Sequence, residues 1–202
     1  MPAVCDVLDD HDLRFQFMHH SIRPLDRQLK VAGPSFTIVG QSNATRDPGK
    51  RIGPRVISSF EPHVVAVYDT MGNETTGVWG ELWSAGAMYR GCVGAVIDGG
   101  IRDTAYIRRA NFPIFHKFTC PSDAVGRFNI MDFGCPVSAG GVRVNPGDYI
   151  FGDEDGIVVI PAELTLDVLE KSESLCRKET LIRKEIATGK AVADLYAEYG
   201  KF

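Results

Sequence analysis

Short β-branched runs and segments with helical spacing alternate along the first two thirds of the chain. The runs at 35–39, 64–68, 94–97 and 113–115 predict strands. Leu82, Ala85 and Met88 recur with helical spacing, and a second helix is expected to begin at 101–103. Alternation of strand and helix between 64 and 115 predicts right-handed crossovers and parallel strands.

The pattern changes after residue 140. Segments 149–151 and 157–160 predict a hairpin with Asp155-Gly156 in its turn. Pro161 suits the start of a long helix, so helices are expected over about 161–202. Arg23-Pro24-Leu25 is interpreted as a turn, and the polar segment 41–52 as a surface loop. We find neither a linker nor an internal repeat, so residues 1–202 are predicted to form one α/β domain.

Composition narrows the classes of partner and compartment. The chain has 202 residues, 22 basic and 26 acidic side chains, and a formal net charge of −4. It has no basic block for a phosphate backbone and no apolar run of about 18 residues, which disfavours direct nucleic-acid binding and a membrane span. The five cysteines are scattered and the acidic N-terminus lacks signal-peptide features. We therefore expect a cytoplasmic protein.

Candidate chemistry lies where predicted strands end. Asp69 and Asp98 end two of them, and glycine-containing loops then lead to Glu81 and to Arg102-Asp103, each at the start of a helix. Helix N-termini bind anions, and Arg102 offers a bidentate fork for a carboxylate. Glu81 and Asp103 carry hard oxygen ligands suited to Mg²⁺ or Mn²⁺. The pattern predicts a site for an anionic, oxygen-rich small molecule.

The same residues also allow a purely structural interpretation. An acidic residue in a first turn commonly complements the helix dipole, and an adjacent Arg-Asp is commonly a surface ion pair. Trp79 and Trp83 either wall a pocket or pack in the core. Neither a nucleophile elbow nor a phosphate-binding glycine loop is present, so serine hydrolysis and nucleotide binding have no support.

The run GVWGELWSAGAMYRGCVGAVIDGGIRD, residues 77–103, resembles the family of 4-hydroxy-4-methyl-2-oxoglutarate aldolases and regulator-of-ribonuclease-E-activity-A-like (RraA-like) proteins. The hallmark of that family is an acidic residue, twenty intervening residues and Arg-Asp, matched here by Glu81 and Arg102-Asp103. SIRPLDRQLKVAGPSFTIVG and NPGDYIFGDEDGIVVIP extend the likeness over nearly the whole chain.

The resemblance implies a compact layered α/β sandwich with a central mixed sheet, assembled as a homotrimer or hexamer with sites at subunit interfaces. It implies that Arg102 binds the carboxylate or keto oxygen of a pyruvoyl group, and that Asp103 holds Mg²⁺ or Mn²⁺, largely through water. Backbone amides of the loop before the helix would hold the substrate carboxylate; these belong to Val78, Trp79, Gly80, Glu81, Leu82 and Trp83.

The implied reaction is retro-aldol cleavage of a 4-hydroxy-2-oxo acid to pyruvate, with oxaloacetate decarboxylation as a side activity. Glu81 would orient a water that acts as the base. Two positions depart from the aldolase pattern: Glu81 replaces an aspartate, and Tyr106 replaces a carboxylate three residues after Asp103. The alternative function is a non-catalytic regulator that binds an RNA-processing enzyme.

Overall fold

The computed structural model describes residues 1–43 and 52–200, so most of the predicted loop at 41–52 lies outside the described residues. Its six helices are α1 (Pro2–Asp10), α2 (Gly53–Ser58), α3 (Glu81–Tyr89), α4 (Thr104–Arg109), α5 (Thr165–Ala187) and α6 (Val192–Tyr199). Its strands are β1 (Arg23–Pro24), β2 (Val31–Ser42), β3 (Val65–Asp69), β4 (Gly77–Trp79), β5 (Gly94–Ile101), β6 (Ile114–Thr119), β7 (Phe128–Phe133), β8 (Val137–Ala139), β9 (Val142–Val144), β10 (Tyr149–Gly152) and β11 (Ile157–Ile160).

The fold is a single α/β domain built on a curled, mixed central sheet, as predicted. Its main path runs β1-β6-β5-β3-β2-β10-β11, with β4 beside β5 and β7 beside β2. The strands β2, β3, β5 and β6 pair in parallel, whereas β10 and β11 form the predicted antiparallel hairpin. The predicted parallel pairing over 64–115 is therefore confirmed.

Alternate residues of the central strands pack into two cores, one on each face of the sheet. Ala66, Tyr68 and Ile97 face helices α2–α4, whose apolar side chains close the first core. Val67 and Val96 face the small β8–β9 hairpin on the opposite side. A third cluster fixes α1 and α5 against β11. Burial on both faces explains why these central strands are apolar along most of their length.

Three local predictions are wrong. The predicted loop before Glu81 contains the short strand β4, because Gly77 and Trp79 pair with β5. Arg23-Pro24 is not a turn but a short strand that pairs with His116 and Phe115 of β6. The strand that begins at Gly94 does not end at Asp98, because β5 continues to Ile101. Gly100 lies between Gly77 of β4 and Phe118 of β6. Pairing with a strand on each side keeps this glycine-containing segment extended, although glycine has a low strand propensity. Local sequence alone does not reveal such pairing.

The C-terminal helices follow the prediction closely. A 3₁₀ turn at Ala162–Leu164 precedes α5, and the chain leaves α5 near Gly189, which has a φ of +92°. No helix within the described ranges is long and apolar enough to cross a membrane.

Candidate active site

Parallel pairing of β4 with β5 brings the two predicted halves of the site together. Trp79 is the register partner of Ile101, and the amide of Arg102 donates a 2.8 Å hydrogen bond to the carbonyl of Trp79. Helix α3 begins at Glu81, directly after β4, while Arg102 and Asp103 directly follow β5. The twenty residues between Glu81 and Arg102 therefore form one crossover from a strand, through a helix, to the adjacent strand.

Asp103 is turned toward helix α3 by its backbone. It has φ 56° and ψ 33°, a left-handed conformation that aspartate adopts more readily than most residues. Although Asp103 precedes α4, its side chain does not cap that helix. Its Oδ2 instead accepts a 3.1 Å hydrogen bond from the Glu81 amide and lies 3.4 Å from Nε of Arg102. One carboxylate thus links the N-terminus of α3 to the guanidinium.

Glycine at position 80 is required by close approach rather than by backbone conformation. A Cβ there would lie 2.5 Å from Oδ2 of Asp103 and 3.0 Å from Cγ of Arg102. Because the backbone of Gly80 is extended, at φ −153° and ψ −160°, any residue could adopt it. The missing side chain is therefore what allows Arg102 and Asp103 to lie against the start of α3.

These groups line one cavity of about 290 Å³. Seven of the predicted site positions reach it: Val78, Gly80, Glu81, Leu82, Trp83, Arg102 and Asp103. Arg102 and Asp103 are each 38% exposed, so a small solute can reach both side chains. Since the first N–H groups of a helix lack intrahelical acceptors, the amides of Leu82 and Trp83 can donate to an anion there.

Trp79 is the predicted site residue that lies elsewhere. Its side chain is fully buried, stacks on Phe112 at a centroid distance of 6.2 Å, and donates from Nε1 to Oγ of Ser84 at 2.9 Å. Ser84 in turn donates to the carbonyl of Gly80 at 3.1 Å. Trp79 therefore supports the start of α3 from the core, and its side chain is not part of the cavity lining.

Asp69 and Asp98 are not part of the candidate site, although both were predicted to end strands that lead to it. Oδ2 of Asp69 accepts a 3.1 Å hydrogen bond from the Ser138 amide, and Oδ2 of Asp98 accepts a 2.8 Å bond from the Gly140 amide. Lys117 forms an ion pair with Oδ1 of Asp98. These carboxylates fasten the β8–β9 hairpin to the sheet, and neither lines the cavity.

The side chains of the cavity offer few ligands to a divalent metal ion. Across residues 1–43 and 52–200, no group of three or more His, Cys, Asp or Glu side chains is placed to hold a metal ion. Mg²⁺, however, commonly keeps several waters and binds through one or two carboxylates together with substrate oxygens. Oδ1 of Asp103 accepts no hydrogen bond from the described residues and lies on a partly exposed side chain. Asp103 therefore fits a hydrated metal ion that is completed by water and substrate.

Sequence reasoning missed two other segments that line the cavity. Gly53, Pro54 and Ile57 of α2 contribute to it, as does the segment Asp123–Val125 that follows β6. Neither segment carries a recognisable pattern. Only the order of the parallel strands could have indicated them, because segments that follow neighbouring parallel strands lie at the same edge of the sheet.

Comparison with known proteins identifies the family of this chain. The family model RraA-like, described as Aldolase/RraA, matches residues 1–159. The chain belongs to this family. A relative in Halalkalibacterium halodurans, which bears the name "Putative 4-hydroxy-4-methyl-2-oxoglutarate aldolase", is 34% identical over 154 residues, 76% of this chain and 70% of that protein.

Two further relatives of this RraA-like protein carry other names. Protein DlpA of Legionella pneumophila is 31% identical over 179 residues; the match covers 89% of this chain, which spans only 29% of that longer protein. The crystal structure of Streptomyces coelicolor RraAS2, described as an unusual member of the RNase ES inhibitor RraA protein family, superposes with a TM-score of 0.80. It has 26% identity and covers 90% of each chain.

Proposed function

We propose that this RraA-like protein, as one domain over residues 1–202, is a divalent-metal-dependent carbon–carbon lyase. It cleaves a 4-hydroxy-2-oxo acid to pyruvate and a carbonyl compound. The observation that carries the proposal is the meeting of Arg102, Asp103 and the N-terminus of α3 in one cavity. That set suits a 2-oxo acid, because it offers a guanidinium, free amides and a hard oxygen ligand to adjacent carboxylate and keto oxygens.

The chemistry requires stabilisation of negative charge on the keto oxygen. When the C4 hydroxyl loses its proton, the C3–C4 bond breaks and its electron pair moves toward C2 and the keto oxygen. Bound Mg²⁺ or Mn²⁺, held by Asp103 largely through water, would supply Lewis-acid stabilisation of that charge. Arg102 holds the pyruvoyl oxygens, and amides at the start of α3 orient the carboxylate.

Glu81 is the proposed base-positioning residue. Glu81 is one of the residues that line the cavity, and its amide is bonded to Asp103, the proposed metal ligand. There it orients a water that takes the C4 hydroxyl proton, and solvent returns a proton to C3. Loss of CO₂ from oxaloacetate leaves charge on the same atoms, so decarboxylation is proposed as a side activity.

The test is pyruvate release from a panel of 4-hydroxy-2-oxo acids and oxaloacetate, with Mg²⁺, with Mn²⁺ and with chelator. We expect metal-dependent release that Asp103→Asn lowers at least about a hundredfold, the usual scale for losing one positioned group that stabilises charge. Asp132→Asn, on a strand outside the cavity, is the matched control and keeps the wild-type rate. Absence of pyruvate from every substrate, or full activity of Asp103→Asn, would contradict the proposal.

A non-catalytic regulator is the second candidate, because the Streptomyces relative is described through an RNase ES inhibitor family. In this case purified protein binds an RNA-processing enzyme and lowers its activity, and Asp103→Asn leaves that inhibition unchanged. The homotrimer or hexamer and the cytoplasmic location remain predictions, of which light scattering tests the first.

A further inference from the structure

A second concave surface lies at the edge of the sheet opposite the cavity. It is a groove of about 700 Å³ between the loop 26–30, which precedes β2, and the turn that joins α4 to β6. Strands β5 and β6 begin at this edge, whereas the cavity lies beyond their C-terminal ends. Strand β2 likewise begins beside the groove at Val31 and reaches the opposite edge at Ser42. The groove is therefore separate from the candidate active site.

Cations line this surface, which we call the basic groove. Arg27 and Lys30 are among its lining residues, and the side chain of neither makes a hydrogen bond or ion pair with a described residue. Arg108 and Arg109 end α4, and Nε of Arg108 lies 3.3 Å from Oδ1 of Asp26. Asp26, the one carboxylate among the described lining residues, is thereby engaged by a cation. The groove thus carries positive charge in a chain whose formal net charge is −4.

A structural role accounts for only part of this charge. Arg108 and Arg109 complement the negative C-terminal end of α4, as basic residues in a last turn commonly do. Arg27 and Lys30, however, belong to a loop and not to a helix. Their charges therefore need another explanation.

The loop that carries Arg27 and Lys30 is fixed at both ends. Before it, β1 pairs with β6, and the Leu25 amide donates a 2.9 Å hydrogen bond to the carbonyl of Ile114. After it, β2 begins directly, and Leu29 packs against the first core. A ligand therefore meets these cations on backbone that is already ordered, which lowers the entropy cost of binding.

We propose that the basic groove binds a short acidic segment of a partner protein, whose carboxylates pair with Arg27 and Lys30. The side-chain amides of Gln28 and Asn111, which also line the groove, can donate and accept hydrogen bonds and therefore suit a peptide backbone. Nucleic acid fits less well, because none of the described lining residues is aromatic and bases find no stacking surface. The negative net charge of the chain also repels a long polyanion. This binding does not depend on the lyase function.

Fluorescence anisotropy of a labelled hexaglutamate peptide, titrated with the full chain, tests this binding. We expect saturable binding that weakens when the ionic strength rises from about 0.02 M to about 0.15 M, because salt screens exposed charges. A hexaglutamine peptide, which keeps the backbone and lacks the charges, should not bind measurably. The double variant Arg27→Gln with Lys30→Gln should bind hexaglutamate about five- to thirtyfold more weakly, the effect of losing two exposed ion pairs.

The double variant Arg14→Gln with Lys184→Gln is the matched control. Both side chains are exposed, neither makes a hydrogen bond or ion pair with a described residue, and neither lines the basic groove. This variant loses the same amount of charge and should stay within about twofold of the wild-type affinity. Equal weakening in the two double variants, equal binding of hexaglutamate and hexaglutamine, no saturable binding by the wild type, or tighter binding of hexauridylate RNA than of hexaglutamate would each overturn the proposal.

Discussion

Replacement of Gly80 by alanine tests whether Arg102 and Asp103 owe their positions to the missing side chain. The new Cβ would lie 2.5 Å from Oδ2 of Asp103, so the carboxylate must retreat by about 1 Å to reach ordinary contact. That movement breaks the 3.1 Å bond from the Glu81 amide, a net loss of about 1 kcal/mol. Since a 1 Å displacement of a positioning group costs about a hundredfold in rate, kcat/KM should fall by that factor.

Stability should change little in the same variant. The extended backbone of residue 80 accommodates alanine, and both displaced side chains can move into solvent because each is 38% exposed. A loss of about 1 kcal/mol lowers Tm by about 2–4 °C in a chain of this size. The measurements are metal-dependent pyruvate release and thermal unfolding followed by circular dichroism.

Gly152→Ala is the matched control, because its Cβ would lie 2.9 Å from Val31 and 3.1 Å from Phe115, on the face of the sheet away from the cavity. Overpacking there should cost about 1–3 kcal/mol of stability and leave kcat/KM of the folded protein unchanged. The reasoning fails if Gly80→Ala stays within about threefold of wild-type kcat/KM, or if Gly152→Ala loses activity and Gly80→Ala does not.

Two further predictions concern residues outside the cavity lining. Asp98→Asn weakens the hydrogen bond from the Gly140 amide and leaves Lys117 without its partner carboxylate. We therefore expect the free energy of unfolding, measured in urea, to fall by about 1–3 kcal/mol while kcat/KM stays unchanged. Unchanged stability would contradict this role of Asp98. Burial, reinforced by the charge of Arg108, lowers the pKa of His116 despite its hydrogen bond to the Phe118 carbonyl. Below about pH 6.5 the unfolded chain therefore binds more protons at His116 than the folded chain does, so the free energy of unfolding should fall as the pH drops. The fall should be smaller in His116→Gln, which lacks the titrating imidazole.

Asp103 shows how one residue joins local folding to chemistry. Its left-handed backbone directs Oδ2 to the amide of Glu81 and leaves Oδ1 free of hydrogen bonds from the described residues. The structural interpretation, an acidic side chain at a helix start, describes Oδ2, although the helix is α3 and not the helix α4 that Asp103 precedes. The other oxygen remains available as the proposed metal ligand, so the two interpretations describe different atoms of one side chain.

The sequence alone determined the sheet-and-helix alternation, because apolar runs and helical spacing are local properties. It also placed Glu81 and Arg102 near the starts of two helices on either side of the strand that begins at Gly94, although the strand β4 before Glu81 was predicted as a loop. The resemblance of residues 77–103 then indicated the family, which the match over residues 1–159 confirmed.

Only the tertiary structure decided the rest, because it depends on contacts between distant segments. Asp98 looks like the end of a strand, yet β4 and β6 extend β5 beyond it, and its carboxylate fastens the β8–β9 hairpin instead. Trp79 belongs to the core because Phe112 lies against it. Asp123 reaches the cavity because the loop after β6 returns to the same sheet edge as Arg102, and no local pattern encodes that return.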